Sequence, residues 1–232
     1  DFAPYRAWLA RHGVNLAHVL EVPEMLTAQA YITTDLDDNQ ITAFHPGAMN
    51  FSHLNHIAEA SDVKLSIVSP DGREGMLQHA LDFAAAGVPF IFDPGQGMPM
   101  FSGDELLDFM ALATYACFND YEAKLLTERT GHSLEHLAGG VEALIVTRGA
   151  EGSCVYEPGR MTEIAPVKIA RAVDPTGCGD AYRAGLLYVA ELMVMNKLAG
   201  PLGVTGPTTP EEGARSDSSL ADLSADLAGI RA

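Results

Sequence analysis

The chain has 232 residues, 47% of them hydrophobic, and its 31 acidic against 14 basic side chains give a formal net charge of −17. A surface this acidic repels phosphate backbones, which argues against nucleic-acid binding. No apolar run approaches the ~20 residues that cross a membrane, and the first residues do not form a signal-peptide pattern. The three cysteines lack metal-site spacing, so we expect a protein of the reducing cytoplasm without a nucleic-acid or membrane partner.

The first part of the chain predicts a helix at 4–12 and then a hairpin, whose strands 29–34 and 40–44 flank an acidic turn. Beyond the hairpin, short apolar runs rich in β-branched residues alternate with segments of helical periodicity. The predicted strands are 64–69, 88–92, 115–118 and 143–147, and the predicted helices are 75–86, 104–112, 120–130 and 133–138. This alternation predicts an α/β fold with a doubly wound parallel sheet and right-handed crossovers.

The last part of the chain begins with a second predicted hairpin, formed by strands 153–156 and 161–164. A long apolar helix is then predicted from Thr176 to about residue 196. The stretch 201–210 is rich in Gly, Pro and Thr, which is typical of a loop, and 211–232 has the apolar spacing of an amphipathic helix.

The motif at 174–180, Asp-Pro-Thr-Gly-Cys-Gly-Asp, leads directly into the long apolar helix. Gly177 and Gly179 let the backbone approach a ligand closely, and the amides of the helix N-terminus point to the same place. Together they predict an anion hole suited to phosphoryl oxygens. Asp180 lies in the first turn, where it can accept a proton from a hydroxyl held beside that anion hole. On this motif alone, a glycine turn with Asp180 as a plain N-cap remains equally open.

Two further motifs follow predicted strands and have simple local interpretations. Asn119-x-x-Glu122 has the spacing of a capping box, in which Asn119 is the N-cap. The segment 146–153, Val-Thr-Arg-Gly-Ala-Glu-Gly-Ser, leads from a strand into a turn whose glycines let the backbone approach a ligand. Taken alone, a helix cap and an ordinary β-turn are the favoured interpretations of these two motifs.

Taken in chain order, 119–122, 146–153 and 174–180, the three motifs resemble the signatures of the ribokinase (PfkB-type) carbohydrate kinase family. This family includes sugar kinases and adenosine kinases. The family's signature is Asp-Thr-x-Gly-Ala-Gly-Asp, and this chain differs from it at Pro175 and Cys178 while keeping both glycines and both aspartates. The resemblance implies that Asp180 is the catalytic base. It also implies that the amides of Gly177, Cys178 and Gly179 form the anion hole.

The resemblance further implies a site for ATP and Mg²⁺. Asn119 and Glu122 would organise Mg²⁺ and the phosphates, largely through water, which suits an ion that holds its waters tightly. The segment 92–96 resembles a strand end that lies near the phosphates in the family. The other residues implied for the nucleotide are Thr147, Gly149, Gly152, Thr205 and Gly206, and those implied for a K⁺ site are Asp174 and Thr176.

The acidic hairpin and the stretch 43–48 resemble adenosine-kinase-like bacterial members, so adenosine is the expected acceptor and a free sugar the second choice. The resemblance implies a single ribokinase-like domain over 1–232, with a β lid hairpin over 25–46 through which members often form homodimers. No counterpart of the family's N-terminal Gly-Gly-x-x-x-Asn segment follows Asp1. We therefore expect a partial domain that lacks this segment.

Other functions stay open at this point. A non-catalytic nucleotide-binding remnant would keep the motifs without the acceptor site, whereas a ribose- or fructose-type kinase would keep the chemistry and change the acceptor. A dinucleotide-dependent oxidoreductase needs Gly-x-Gly-x-x-Gly after its first strand, and neither that pattern nor a Walker-type loop occurs. His53 and His56 have the spacing of two metal ligands on a helix, but no third ligand is near them in sequence, so we expect a surface role.

Overall fold

The structure, a computed structural model, describes residues 1–35, 40–169 and 177–199. Within these ranges the strands are β1 (Gln29–Thr34), β2 (Gln40–His45), β3 (Ser66–Val68), β4 (Phe90–Phe92), β5 (Tyr115–Asn119), β6 (Ala143–Thr147), β7 (Ser153–Glu157) and β8 (Arg160–Ile164). The α-helices there are α1 (Ala3–Arg11), α2 (Arg73–Ala86), α3 (Gly103–Leu112), α4 (Asp120–Thr130), α5 (Leu134–Ala138) and α6 (Cys178–Ala199). Short 3-10 helices occupy Gly47–Leu54, Ile57–Glu59, Gly95–Met100 and Gly149–Glu151.

Six of the described strands form one sheet, in the order β3-β4-β5-β6-β7-β8. The strands from β3 to β6 run parallel, whereas β7 and β8 are antiparallel to their neighbours. The strands β1 and β2 form a separate antiparallel hairpin. The predicted α/β class and both predicted hairpins are therefore confirmed. The sheet is mixed rather than wholly parallel, because the second hairpin extends one edge of the predicted parallel strands.

Alternate side chains of the parallel strands build an apolar layer on each face of the sheet. Phe90 and Phe92 of β4 pack in the larger layer, which also contains buried side chains of α2, α3, α4 and α5. Ile91 of the same strand packs on the other face with Leu186 and Val189 of α6. Because both faces are covered by helices, these strands have continuous apolar sequences rather than alternating ones.

The helix ends follow local signals in the sequence. The helices α2 and α4 end at Gly87 (φ 66°) and Gly131 (φ 72°), in the left-handed conformation that favours glycine. The side chains of Ser102, Asn119 and Ser133 cap the first turns of α3, α4 and α5. None of the described helices is long and apolar enough to span a membrane.

Some predicted elements differ from the structure in extent. The predicted strands 64–69 and 88–92 are shorter, because the parallel ladder joins them only over Ser66–Val68 and Phe90–Phe92. The remaining residues of the two predicted strands, Lys64, Leu65, Ser69, Val88 and Pro89, lie outside the paired positions of that ladder.

The 3-10 helices Gly47–Leu54 and Gly95–Met100 were not predicted. Each begins directly after a proline, Pro46 or Pro94, whose fixed φ suits the start of a tight helical turn. The long helix was predicted well, since α6 continues without a break to Ala199. The predicted tip of the first hairpin, the loop 201–210 and the helical tail 211–232 lie outside the described residues.

Candidate active site

Polar residues from three neighbouring strands meet at one edge of the sheet. Asp93 follows β4 directly, Asn119 ends β5 and Thr147 ends β6. Asn119 and Thr147 are paired residues in the β5–β6 ladder, and β4 is the other neighbour of β5. The carboxyl ends of parallel strands are where ligand crevices form in open α/β sheets. We call Asp93, Asn119, Glu122 and Thr147 the carboxyl-edge group.

The first turns of α6 are joined to this edge by a buried ion pair. Arg183 donates from Nε and Nη2 to the two carboxylate oxygens of Asp93, with 2.9 Å between Nη2 and Oδ1. Asp93 is only 1% exposed, so its charge requires compensation inside the protein, and this bidentate contact provides it. The hydrogen bond to Asp93 is the largest cause of the raised pKa of Arg183. The turn 177–180, which precedes Arg183 on the same helix, is thereby held near the strand ends.

The turn that begins α6 is open to solvent. Gly177 has a φ of 80°, and its carbonyl accepts a hydrogen bond from the N–H of Ala181 at 2.9 Å. Cys178, Gly179 and Asp180 are exposed. The first N–H groups of an α-helix have no partner within the helix, so they are available to an anion. The turn thus offers N–H donors and the Asp180 carboxylate to a ligand, and the catalytic roles of these residues stay predictions.

Asn119 and Glu122 form the capping box that their spacing indicates. The N–H of Asn119 donates to Oε2 of Glu122 at 2.8 Å, and its Nδ2 donates to Oε1 at 2.9 Å. The N–H of Glu122 donates in return to Oδ1 of Asn119 at 2.7 Å. Glu122 is buried, and that burial is the largest cause of its raised pKa, to which the charge of Asp93 adds. The same carboxylate is therefore a helix cap and a buried anion at the carboxyl edge.

The glycine turn after β6 has two glycines in left-handed conformations. Gly149 has a φ of 53° with open space where a side chain would project. Gly152 has a φ of 87°, and a Cβ there would lie 2.1 Å from the carbonyl oxygen of Ile164. Thr147 precedes this turn and donates its hydroxyl to the carbonyl of Phe118 at 3.4 Å. The turn thus lies close against the end of β8 at Gly152. The predicted contacts of these residues with ATP stay predictions.

Several residues named from the sequence do not belong to this arrangement. Asp174, Thr176, Thr205 and Gly206 lie outside the described residues. Among the described residues, no group of three or more His, Cys, Asp or Glu side chains is placed to hold a metal ion. His53 instead has its Nδ1 at 3.5 Å from Oε2 of Glu74, and no metal role is indicated for it.

A cavity of about 530 Å³ lies away from the carboxyl edge. Its lining includes His18, Thr27, Met49 and Phe51, and no member of the carboxyl-edge group. The carboxyl edge itself is therefore recognised from its polar side chains and exposed helix N-terminus rather than from an enclosed volume.

Arg183 was missed by the sequence reasoning. Its partner Asp93 lies 90 residues earlier in the chain, and a pattern within a short window does not connect them. One local signal could have found Arg183, because it is a cation three residues beyond Asp180 in a helix that is otherwise largely apolar. A buried carboxylate after a parallel strand would then have been the natural partner to look for.

Comparisons with known proteins match the part of the chain that contains the carboxyl-edge group and the start of α6. Residues 2–191 match the family described as pfkB family carbohydrate kinase. A nucleoside kinase of Methanocaldococcus jannaschii is 32% identical over 185 residues, which are 79% of this chain and 60% of that protein. A nucleoside kinase of Methanothermobacter thermautotrophicus is 30% identical over 188 residues, with 79% of this chain and 60% of that protein covered. The chain thus spans about three-fifths of the length of these curated relatives.

The solved structures include nucleoside kinases. The Burkholderia thailandensis nucleoside kinase in complex with inosine matches all of this chain with a TM-score of 0.79 and 45% identity, over 78% of its own length. The same enzyme in complex with ADP-inosine gives a TM-score of 0.78 at 45% identity, over 74% of its length. These matches confirm the family and the fold that the three motifs predicted.

Proposed function

Because the chain belongs to the pfkB family of carbohydrate kinases, we propose that it transfers the γ-phosphoryl group of ATP to a primary hydroxyl of a nucleoside. The observation that carries the proposal is the attachment of the α6 N-terminus to the carboxyl edge through Arg183 and Asp93. This attachment supports the proposal because it holds the turn 177–180, with its N–H groups and carboxylate, near the acidic residues at the strand ends. Phosphoryl transfer depends mainly on such positioning and on electrostatics.

In the proposed reaction, Asp180 acts as the general base. Its carboxylate accepts the proton of the substrate hydroxyl while the hydroxyl oxygen forms a bond to the γ-phosphorus of ATP, and ADP leaves with the electron pair of the broken bond. Asp180 suits this role because it is exposed in the first turn of α6, beside the helix N–H groups that are available to a phosphoryl anion. General base catalysis of this kind typically contributes a factor of about 10² to 10⁴ in rate.

The amides of Gly177, Cys178 and Gly179 are proposed to donate hydrogen bonds to the transferring phosphoryl group. Two properties support this role: the left-handed φ of Gly177 and the exposure of all three residues. Donors fixed in this way need no reorganisation when charge develops on the phosphoryl oxygens. In a protein of net charge −17, such local donors can hold a triphosphate without a basic surface patch.

The donor set at Asn119 and Glu122 fits Mg²⁺ held through water. Each carboxylate oxygen of Glu122 already accepts one hydrogen bond from Asn119, and a carboxylate has about four lone-pair sites, so it can also accept bonds from metal-bound water. Bound there, Mg²⁺ would neutralise charge on the triphosphate. The proposed K⁺ site at Asp174 and Thr176 and the adenine contacts of Thr205 and Gly206 rest on the family resemblance alone.

Adenosine is the proposed acceptor, with inosine as the nearest alternative. Two lines support a purine nucleoside. The relatives named above are nucleoside kinases, and one of them was solved with inosine. The stretch 43–48 also resembles adenosine-kinase-like sequences, and here it contains the end of β2 and the start of the 3-10 helix Gly47–Leu54.

The hairpin of β1 and β2 is proposed as a lid that also joins two copies of the chain. Both of its faces expose apolar side chains: Tyr31 and Ile41 on one, and Ile32 and Phe44 on the other. Apolar side chains exposed on both faces of a two-stranded hairpin are a common mark of a contact surface. Sedimentation analysis of the chain and its Ile41→Lys variant tests this, and a monomeric wild-type chain would contradict the homodimer.

The function is tested by measuring ADP release from the full 232-residue chain with ATP, Mg²⁺ and one acceptor at a time. The acceptors are adenosine, inosine, ribose and fructose. We expect turnover that requires Mg²⁺ and a nucleoside, with adenosine used most efficiently. Fastest turnover with ribose or fructose would indicate a sugar kinase instead. Nucleotide binding without turnover on any acceptor would indicate a non-catalytic binding protein.

A further inference from the structure

The Asp93–Arg183 pair connects two elements that are far apart in sequence. Asp93 is fixed by the sheet, because its backbone N–H donates to the carbonyl of Val68 at 2.9 Å. Arg183 belongs to α6 and reaches Asp93 with two of its guanidinium nitrogens. A bidentate contact restrains orientation as well as distance. The pair therefore restrains how α6 is oriented against the end of β4.

The guanidinium group also lies against the turn that begins α6. A Cβ at Gly179 would lie 2.8 Å from Nη1 of Arg183. Gly179 does not have a positive φ, unlike Gly177, so the backbone conformation does not itself require glycine there. The space over Gly179 is instead occupied by the Arg183 side chain, which Asp93 holds in place. Arg183 thus contacts the same residue whose amide is proposed to bind the phosphoryl group.

The charge of Arg183 opposes the acidic character of the carboxyl edge. Burial is the main cause of the raised pKa values of Glu122 and of Cys117, which reaches about 12. The charge of Asp93 raises both pKa values further, and the charge of Arg183 lowers both. Without Arg183, the buried carboxylate of Asp93 would lose the charge that compensates it.

We infer that Arg183 is a positioning residue for phosphoryl transfer, acting through Asp93 to hold the turn 177–180 at the carboxyl edge of the sheet. The inference rests on the proposed function and adds to it a residue pair outside the three motifs. It predicts that the pair affects the rate of the chemical step more than the affinity for either substrate, because a misplacement of about 1 Å can cost about 100-fold in rate.

The test compares steady-state kinetics of the full chain with Arg183→Gln, Arg183→Lys, Asp93→Asn and the double variant Asp93→Asn/Arg183→Gln. We expect Arg183→Gln to lower kcat by about 10- to 100-fold while KM for ATP and nucleoside changes little. Arg183→Lys keeps the charge without the bidentate fork, so its kcat should lie between those of the wild-type chain and Arg183→Gln. The double variant should lose little more than Arg183→Gln, because both changes break one unit.

The matched control is Arg160→Gln, which breaks an exposed Arg–Glu pair with Glu157 at the turn between β7 and β8. It should keep the wild-type kcat. If Arg183→Gln does not fold, Arg183→Lys and Asp93→Asn give the same comparison.

Wild-type kcat in the Arg183 variants, or losses that multiply in the double variant, would overturn the inference alone. Absence of turnover in the wild-type chain and in Arg160→Gln would instead overturn the proposed function, and the inference with it.

Discussion

Two neighbouring helices, α3 and α4, begin with the same local device. At the start of α3, the N–H of Ser102 donates to Oε2 of Glu105 at 2.9 Å, and the N–H of Glu105 donates to Oγ of Ser102 at 3.3 Å. At the start of α4, Asn119 and Glu122 exchange the equivalent bonds at 2.8 and 2.7 Å. The two capping boxes are equivalent as ways to begin a helix.

The carboxylates of the two boxes have opposite electrostatic surroundings. Glu105 forms an ion pair with Arg73. The pKa of Glu105 is lowered, and the largest cause is the hydrogen bond from the backbone N–H of Ser102. Glu122 is buried beside Asp93, and its pKa is raised, first by burial. The comparison shows that a four-residue motif determines the start of a helix, whereas the tertiary surroundings determine what the carboxylate can do chemically.

The largest predicted difference between the boxes is in activity. Glu122→Gln should lower kcat by about 10- to 100-fold and raise the Mg²⁺ concentration needed for half-maximal rate, as expected when an outer-sphere partner of a metal is removed. Glu105→Gln should keep the wild-type rate and Mg²⁺ dependence, because its carboxylate pairs with Arg73 and does not belong to the carboxyl-edge group. Both variants are assayed for ADP release across a Mg²⁺ titration. Equal Mg²⁺ curves for the two variants would mean that Glu122 is only a helix cap.

A smaller and equal effect is predicted for stability. Asn119→Ala and Ser102→Ala should each lower the free energy of unfolding by about 1 kcal/mol, because each removes the side-chain acceptor of a helix N-cap. The measurement is equilibrium unfolding in urea. Asn119→Ser retains a capping hydroxyl and should recover most of the loss, whereas its Mg²⁺ dependence should stay altered. A lower free energy of unfolding in only one of the two alanine variants would contradict the equivalence of the boxes.

The smallest predicted effect is on the pH dependence of stability, and its sign differs between the boxes. The pKa of Glu105 is lowered from 4.5. Its ionised carboxylate therefore stabilises the folded chain above that pH, and this stabilisation is lost as the pH falls through the folded-state pKa. The pKa of Glu122 is raised from 4.5. Its contribution to the stability of the folded chain is therefore fully present below that pH, where the group is protonated, and is lost as the pH rises through the folded-state pKa.

Thermal unfolding from acid to neutral pH separates these two cases. Glu105→Gln should lose less stability than the wild-type chain on acidification, and Glu122→Gln should lose more. Shifts of the same sign in both variants would contradict the assigned surroundings of the two carboxylates.

Much of the fold was predictable because its signals are local. The apolar runs of β5 and β6 and the glycines after α2 and α4 marked elements that the structure places within one or two residues of the prediction. The 3-10 helices after Pro46 and Pro94 were missed, since proline signals the end of one element more clearly than the start of another.

The candidate site was predictable only in its parts. The motif 174–180 and the capping box at Asn119 were each recognised from a short window of sequence. Neither the burial of Glu122 nor the contact between Asp93 and Arg183 could be predicted that way. Both are tertiary properties, and the Asp93–Arg183 contact joins residues 90 positions apart.

The most direct test of the proposed phosphotransfer compares the chain with its Asp180→Asn variant in the presence of ATP, Mg²⁺ and adenosine. ADP release is measured for turnover, and ATP binding is measured separately by calorimetric titration. We predict that the substitution lowers kcat by about 10² to 10⁴ while ATP affinity remains, because Asp180 acts on the acceptor hydroxyl rather than on the nucleotide. Turnover that is equal in the two proteins would contradict Asp180 as the base and the site built around it.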